Sequence, residues 1–235
     1  MSSETATETA PVPTVAAIYT GRSLAHTVRT VGPEILGEVN LTSLIDDGLI
    51  YDIIRDGGIT PAIRRRLIRS YENAQDAGAA VILNTCSSVG DIVDLGREVV
   101  DVPIVRIDEP MAETAVNGFE RIGVIATLST TLEPTVRLIE AKAKAAGKDV
   151  HLVAAVAEGA HSALASGDPA KHDRLLEETV TRLGDSVDVI VLAQASMARM
   201  EERLTEVVSV PVLTSLRSGL RAVRDVLDSQ RGSQG

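Results

Sequence analysis

Aromatic side chains and cysteine are nearly absent from this 235-residue chain, which has no tryptophan, three tyrosines, one phenylalanine and one cysteine. Four scattered rings (Tyr19, Tyr51, Tyr71, Phe119) make no stacking platform for single-stranded nucleic acid, and the core must be aliphatic. A lone cysteine, Cys86, excludes an internal disulfide and any zinc site built from cysteines, and it fits a reducing compartment. Positive charge is also in deficit: 23 Lys+Arg stand against 33 Asp+Glu, a formal charge of −10. That balance argues against nucleic acid or an anionic membrane as partner, since both require a basic surface. No apolar run approaches the roughly 20 residues that span a bilayer. Residues 1–13 (MSSETATETAPVP) lack the basic and apolar regions of a secretory signal, so the expectation is a cytoplasmic protein with a disordered tail at its start.

From Thr14 onward, short β-branched runs alternate with longer segments of helical period, the pattern of a parallel sheet whose crossovers are helices. The expected strands are 15–20, 38–45, 80–86, 102–107, 121–127, 150–156, 188–194 and 210–214, mostly continuous apolar runs suited to burial on both faces. Helices are expected over 60–77, with Pro61 in the first turn and Gly78 at the end, over 132–146, ending at Gly147, and over 169–183. Asp168 is a suitable N-cap for the last of these, which presents Leu175, Leu176, Val180 and Leu183 on one face.

The sequence also repeats itself. Residues 98–103 read EVVDVP and residues 206–211 read EVVSVP, five identities in six at a displacement of 108. The same displacement lays AVILNT (80–85) on DVIVLA (188–193), and VAAIYT ending at Thr20 resembles GVIAT ending at Thr127 with one residue of slippage. The expected fold class is therefore α/β with two pseudo-symmetric Rossmann-like halves, each a parallel sheet flanked by helices. The first half would comprise 14–108 plus 213–235, with the final helix (215–228) returning to it, and the second 109–212.

In open α/β sheets ligands sit at the carboxyl ends of the strands. Here those ends are polar: Thr20, the run Asn84 to Ser88, the run Thr127 to Thr131, and Gln194 to Ser196. The displacement of 108 sets Cys86 opposite Gln194, so a thiol and an amide would flank one small ligand. Hydroxyls and backbone N–H groups at helix starts form an anion nest. Thr85, Ser87, Ser88, Thr127, Ser129, Thr130 and Ser196 are candidates for that role, with Thr20 and Asn84 beside them, and helix capping is the competing role for each.

Four histidines remain. His26, His151, His161 and His172 are not spaced as metal ligands, so no metal site is expected; His172 falls on a helix that reads as surface, and His161 lies near a strand end. Asp46 and Asp47 read as turn or cap residues. Gly57-Gly58, Gly123 and Gly159 form no GxGxxG or phosphate-loop pattern, and Arg64-Arg65-Arg66 reads as a solvated helix face, so no nucleotide cofactor is expected.

The segments GAAVILNTCSS (78–88), RIGVIATLSTT (121–131), VDVIVLAQASM (187–197) and VPVLTS (210–215), in this order, resemble the aspartate/glutamate/hydantoin racemase superfamily, with its maleate isomerases and arylmalonate decarboxylases. The resemblance covers residues 14 to about 228. It implies cofactor-free chemistry on small carboxylates. In such racemases each half supplies one cysteine, and the pair removes and returns a proton on opposite faces of a carbon. Cys86 matches the first position. The second, Leu-Gly-Cys in the family, reads Leu192-Ala193-Gln194, and Ser196 stands where glutamate racemases carry a histidine. An amide cannot shuttle a proton at neutral pH, so a two-thiol racemase is excluded.

A lone thiol before a helix start is expected to have a lowered pKa and to act as nucleophile or base, with Gln194 as the opposing polar contact. Two reactions fit: addition to a conjugated double bond followed by rotation, or proton transfer on a single face. Inversion would require a further acid or base such as His161 or Glu158. Isomerisation of a small carboxylate is the leading expectation. A decarboxylase-type lyase and a non-catalytic carboxylate-binding protein are the alternatives, the latter matching a cysteine that serves only as a small buried hydrophobe. The resemblance also leaves a homo-oligomer open, since dimers are common in the superfamily.

Overall fold

The computed structural model describes residues 11–232. Its strands form two four-stranded, wholly parallel sheets. The first has the order β2-β1-β3-β4, with β1 Thr14–Tyr19, β2 Asn40–Ile45, β3 Val81–Asn84 and β4 Ile104–Arg106. The second has the order β6-β5-β7-β8, with β5 Arg121–Ala126, β6 His151–Val156, β7 Val189–Leu192 and β8 Val212–Leu213. Every strand expected from the sequence is present. The central strands are mostly apolar and, apart from the first residues of β1 and β5, buried, whereas the edge strands β2 and β6 carry exposed residues.

The register repeats as the sequence does. Val15 pairs with Val81 in the first sheet and Ile122 with Val189 in the second, displacements of 107 and 108. Ile82 pairs with Ile104 and Ile190 with Val212, both displaced by 108. Against the same central strands, Asn40 is replaced by His151, a displacement of 111 at the outer strand.

The helices are α1 Ser23–Leu36, α2 Gly48–Asp56, α3 Pro61–Asp76, α4 Val93–Arg97, α5 Glu109–Gly118, α6 Ser129–Ala145, α7 Ala160–Ala165, α8 Pro169–Gly184, α9 Glu201–Val207 and α10 Ser215–Gly232. Helix α3 starts where Thr60 accepts from the Ile63 amide and Pro61 occupies the first turn; it buries Ile63, Leu67, Tyr71 and Ala74. Helix α8 starts in the same way, with Asp168 accepting from Lys171 N. Its buried stripe runs His172, Leu176, Val180, so the expectation that His172 faces solvent is wrong: the i, i+4, i+8 spacing places it on the apolar face, one turn before the leucines that define that face. Helix α6 begins three residues earlier than expected, so Ser129, Thr130 and Thr131 form its first turn.

The final helix of each repeat crosses to the other sheet. After β4, α5 packs Met111, Ala112, Ala115 and Val116 on Ile122, Val124, Val189 and Val191 of the second sheet. After β8, α10 packs Leu216, Leu220, Val223 and Leu227 on Val15, Ala17 and Leu83 of the first. A Cβ at Gly219 would stand 2.7 Å from the Ile107 carbonyl oxygen, so α10 sits this close only because position 219 has no side chain. Gly219→Ala should therefore force the helix outward and cost about 1–3 kcal/mol in urea unfolding, although alanine is the better helix former. An unchanged urea midpoint would mean that the helix seat is soft.

Polar contacts join the sheets near their carboxyl ends. Ser88 and Thr131 share a hydroxyl hydrogen bond of 2.8 Å, and Arg137 donates to Asp91 at 2.6 Å. Buried Arg106 at the end of β4 donates through Nε to Asp108 Oδ1 at 2.7 Å and through Nη2 to the Pro134 carbonyl of α6 at 3.4 Å. Among the described residues no helix is long and apolar enough to cross a membrane.

Candidate functional site

A cavity of about 370 Å³ opens between the carboxyl ends of the two sheets. From the first sheet it receives Thr20, Thr85, Cys86, Ser87 and Ser88; from the second, Thr127, Gln194 and Ser196. Each sheet delivers its central residue in the same way. Cys86 (φ −118°, ψ 114°) follows β3 in extended conformation and leads into a six-residue 3-10 turn, Ser87–Ile92. Gln194 (φ −118°, ψ 128°) follows β7 and leads into the equivalent turn, Ala195–Met200. Thiol and amide thus occupy matching positions in one cavity.

Their partners also match. The Thr20 hydroxyl, just beyond β1, acts on the Cys86 sulfur to favour its thiolate. At the end of β5, Thr127 donates to Gln194 Oε1 from both N (2.7 Å) and Oγ1 (2.8 Å). Gln194 therefore already fills the donors that the sequence assigns to a ligand at Thr127, leaving its own Nε2 to donate.

Burial is the main influence on Cys86 and pushes its thiol above the ordinary range; the Thr20 hydroxyl and the Ser88 and Val89 amides oppose this without cancelling it. The expectation of a lowered pKa fails because a six-residue 3-10 turn offers a few N–H groups but little aligned dipole, too little to offset the burial that disfavours the thiolate. At neutral pH Cys86 is a thiol, able to give a proton. Alkylation by iodoacetamide should reach half its limiting rate above pH ~8.5, the region of an unperturbed thiol. A midpoint near 7 would show that the amide donors outweigh burial.

The other predicted residues divide. Thr85 lines the cavity but donates to Ile18 O at 2.8 Å, fastening the β3 loop to β1. Ser88 lines it and is committed to Thr131, which also lines it and was not singled out in the sequence. Ser87 is different: the residue lines the cavity, and its Oγ is buried with no hydrogen-bond partner among the described residues. Ser196 lines the cavity from an exposed position. Asn84, Ser129 and Thr130 lie outside the lining. Asn84 is fully buried behind the loop, accepting from Tyr71 Oη (3.1 Å) and donating to Cys86 O (3.1 Å), so it holds the cysteine backbone in place. Ser129 faces solvent on the first turn of α6, and Thr130 has its hydroxyl buried away from the cavity.

Two histidines reach the cavity. His161 on α7 and His172 on α8 both line it, together with the apolar side chains of Leu24, Ile50, Leu164 and Met197. Burial and the neighbouring His172 both lower the pKa of His161. His172 Nδ1 lies 2.8 Å from Asp173 Oδ1 and 3.0 Å from Arg199 Nη2, and Arg199 also grips Asp173. Glu158 is exposed and does not line the cavity. Asp46 and Asp47 do not line it either; they pair with Arg66 and Arg22. Arg66 accordingly leaves the solvated face expected of its run and bridges Asp46 and Asp52. No cluster of three or more His, Cys, Asp or Glu among the described residues is arranged to hold a metal ion.

Two parallel α/β sheets meeting over one polar-ended cavity define a class of paired-half α/β folds, and comparison with known proteins makes the class specific. The sequence profile of the Asp/Glu/Hydantoin racemase family matches residues 27–223. The chain belongs to that family. No curated protein matches it by sequence. Among solved structures, glutamate racemase isoform RacE1 from Bacillus anthracis is similar at a TM-score of 0.72 and 14% identity, covering 93% of this chain and 82% of that one. Glutamate racemase from Francisella tularensis, in complex with D-glutamate, gives 0.72 and 13% over the same shares. Allantoin racemase from Klebsiella pneumoniae gives 0.65 and 16%, covering 93% and 89%. The family is one of racemase-type enzymes, and the fold is theirs.

Proposed function

We propose that the chain is a cofactor-independent isomerase of this family, acting on a small carboxylate with Cys86 as its reacting group. The observation that supports this most directly is the meeting of Cys86 and Gln194 in one cavity that Ser87 also lines, the Ser87 hydroxyl being buried without a partner among the described residues. A buried unsatisfied hydroxyl is costly, and a ligand oxygen would satisfy it. In this reading the substrate carboxylate accepts from Ser87 Oγ and from the free Nε2 of Gln194. Leu24, Ile50, Leu164 and Met197 keep water from the reacting carbon. Thr20 holds the sulfur in position, and the thiol exchanges a proton with the carbon next to the carboxylate.

The test is incubation in deuterium oxide with a panel of dicarboxylates and 2-substituted acids. Deuterium at the 2-position or a change in isomer ratio supports isomerisation. Release of CO₂ would assign a decarboxylase-type lyase to the same site, and tight binding of an unchanged acid would reduce the protein to a carboxylate binder.

A further inference from the structure

The two repeats differ most where their outer strands end. After β2 the chain enters α2, and Ile50 lines the cavity; after β6 it enters α7, and His161 lines the cavity. The outer strands are displaced by 111 residues, from Asn40 to His151, and the same displacement carries Ile50 onto His161. The two residues are therefore counterparts, each five positions beyond its strand. The first repeat combines Cys86 with an inert isoleucine, and the second combines an inert amide, Gln194, with an imidazole.

We infer that His161 is the second proton-transfer group of the site, working from the wall opposite Cys86 on a small 2-substituted carboxylate bound between them. This rests on the reading given under Proposed function. The environment suits the role. His161 is depressed by burial and by His172, so at neutral pH its ring is an unprotonated acceptor, while the Cys86 thiol keeps its proton. The charged groups behind it are Asp173 and Arg199, which bind each other and His172 Nδ1 and so fix the second ring.

The step balances without an oxidant or reductant. The carbon–hydrogen bond next to the carboxylate breaks toward an imidazole nitrogen of His161, and its electron pair moves onto the carboxylate as an enolate. A new carbon–hydrogen bond then forms on the opposite face with the proton of Cys86 Sγ. This leaves imidazolium and thiolate, and the proton returns from one to the other through water.

A first experiment needs no identified substrate. Cys86 is alkylated at alkaline pH with iodoacetate, which leaves a carboxylate in the cavity, or with iodoacetamide, which leaves a neutral amide. The His161 ring resonance, assigned by its loss in His161→Asn, is titrated by NMR. The carboxymethyl adduct should raise the His161 midpoint by about half a pH unit or more over the amide adduct, because a negative charge nearby favours imidazolium. Equal midpoints would overturn the inference.

A second experiment follows 2-substituted acids in deuterium oxide. His161→Asn and His161→Gln should each lose about 100-fold or more in appearance of the opposite isomer and in exchange of the proton that faces position 161. Isomerisation at the unmodified rate in both variants, with Cys86→Ser inactive, would defeat this inference alone. Full activity in Cys86→Ser would defeat the reading of the site itself. If the unmodified protein turns over no acid in the panel, that reading fails too, and the NMR titration still decides whether His161 and Cys86 face one space.

Discussion

Cys86→Ser should reduce turnover at least about 100-fold while leaving the urea midpoint nearly unchanged. The substitution is close to isosteric, and the hydroxyl can keep the contacts that the Thr20 hydroxyl and the Ser88 and Val89 amides make with the sulfur. What is lost is acidity: a serine hydroxyl holds its proton too tightly to yield it near neutral pH as a thiol can, and removing such a group costs about 10²–10⁴ in rate. Turnover of the best acid in the panel, measured beside equilibrium unfolding, separates the two effects. Retention of most activity in the serine protein would make Cys86 a packing residue. Cys86→Ala would not decide the matter as well, since it also vacates part of the cavity wall.

The largest loss of stability should come from Arg106→Met. Asp108 is fully buried, and Arg106 reaches it through Nε at 2.7 Å and Nη2 at 3.2 Å. The guanidinium also lies against Gly90, where a Cβ would stand 2.2 Å from Cζ, so the arginine occupies a slot shaped for it. Methionine fills much of that slot but leaves a buried carboxylate with no counter-charge, a change worth about 3–5 kcal/mol. Urea unfolding would measure it. Adding Asp108→Asn to the methionine variant should recover part of the loss, because the stranded charge is what costs most; no recovery would place the cost in the packing against Pro134 and Gly90 instead.

The sequence was most informative where a regular period meets burial. All eight strands and the repeat can be read from short apolar and β-branched runs, most cleanly in the inner strands, where burial on both faces leaves few polar positions to confuse the pattern. The strand ends could likewise be read as a candidate site, and Cys86, Ser87 and Gln194 line one cavity. Direction of side chains was not legible. Thr85 and Asn84 sit at strand ends with the others, but their side-chain donors are spent on backbone carbonyls, Thr85 on Ile18 of β1 and Asn84 on Cys86, because a buried carbonyl needs a donor. His172 was misread because a polar residue at the start of an amphipathic stripe looks like surface until its neighbours are known. His161 lay within reach of the repeat, but the outer strands are displaced by 111 where the inner ones are displaced by 108, so the count that finds Gln194 misses it.

The crossing of α5 and α10 bears on how such a molecule can be divided. A polypeptide of one repeat's length, ending with α5 at Gly118, would carry β1 and β3 with Val15, Ala17 and Leu83 bare, because the helix that covers them belongs to the far end of the chain. Its own last helix would have the opposite problem, an apolar face of Met111, Ala112 and Val116 with no sheet beneath it. Two such half-length chains would solve both by exchanging helices, giving a symmetric dimer with the cavity on its axis. In that dimer the residues at positions 86 and 194 would be identical, and so would those at 50 and 161. In a single chain the two walls are free of that identity, so one cavity can hold a thiol with an amide at its matching position and an isoleucine with an imidazole.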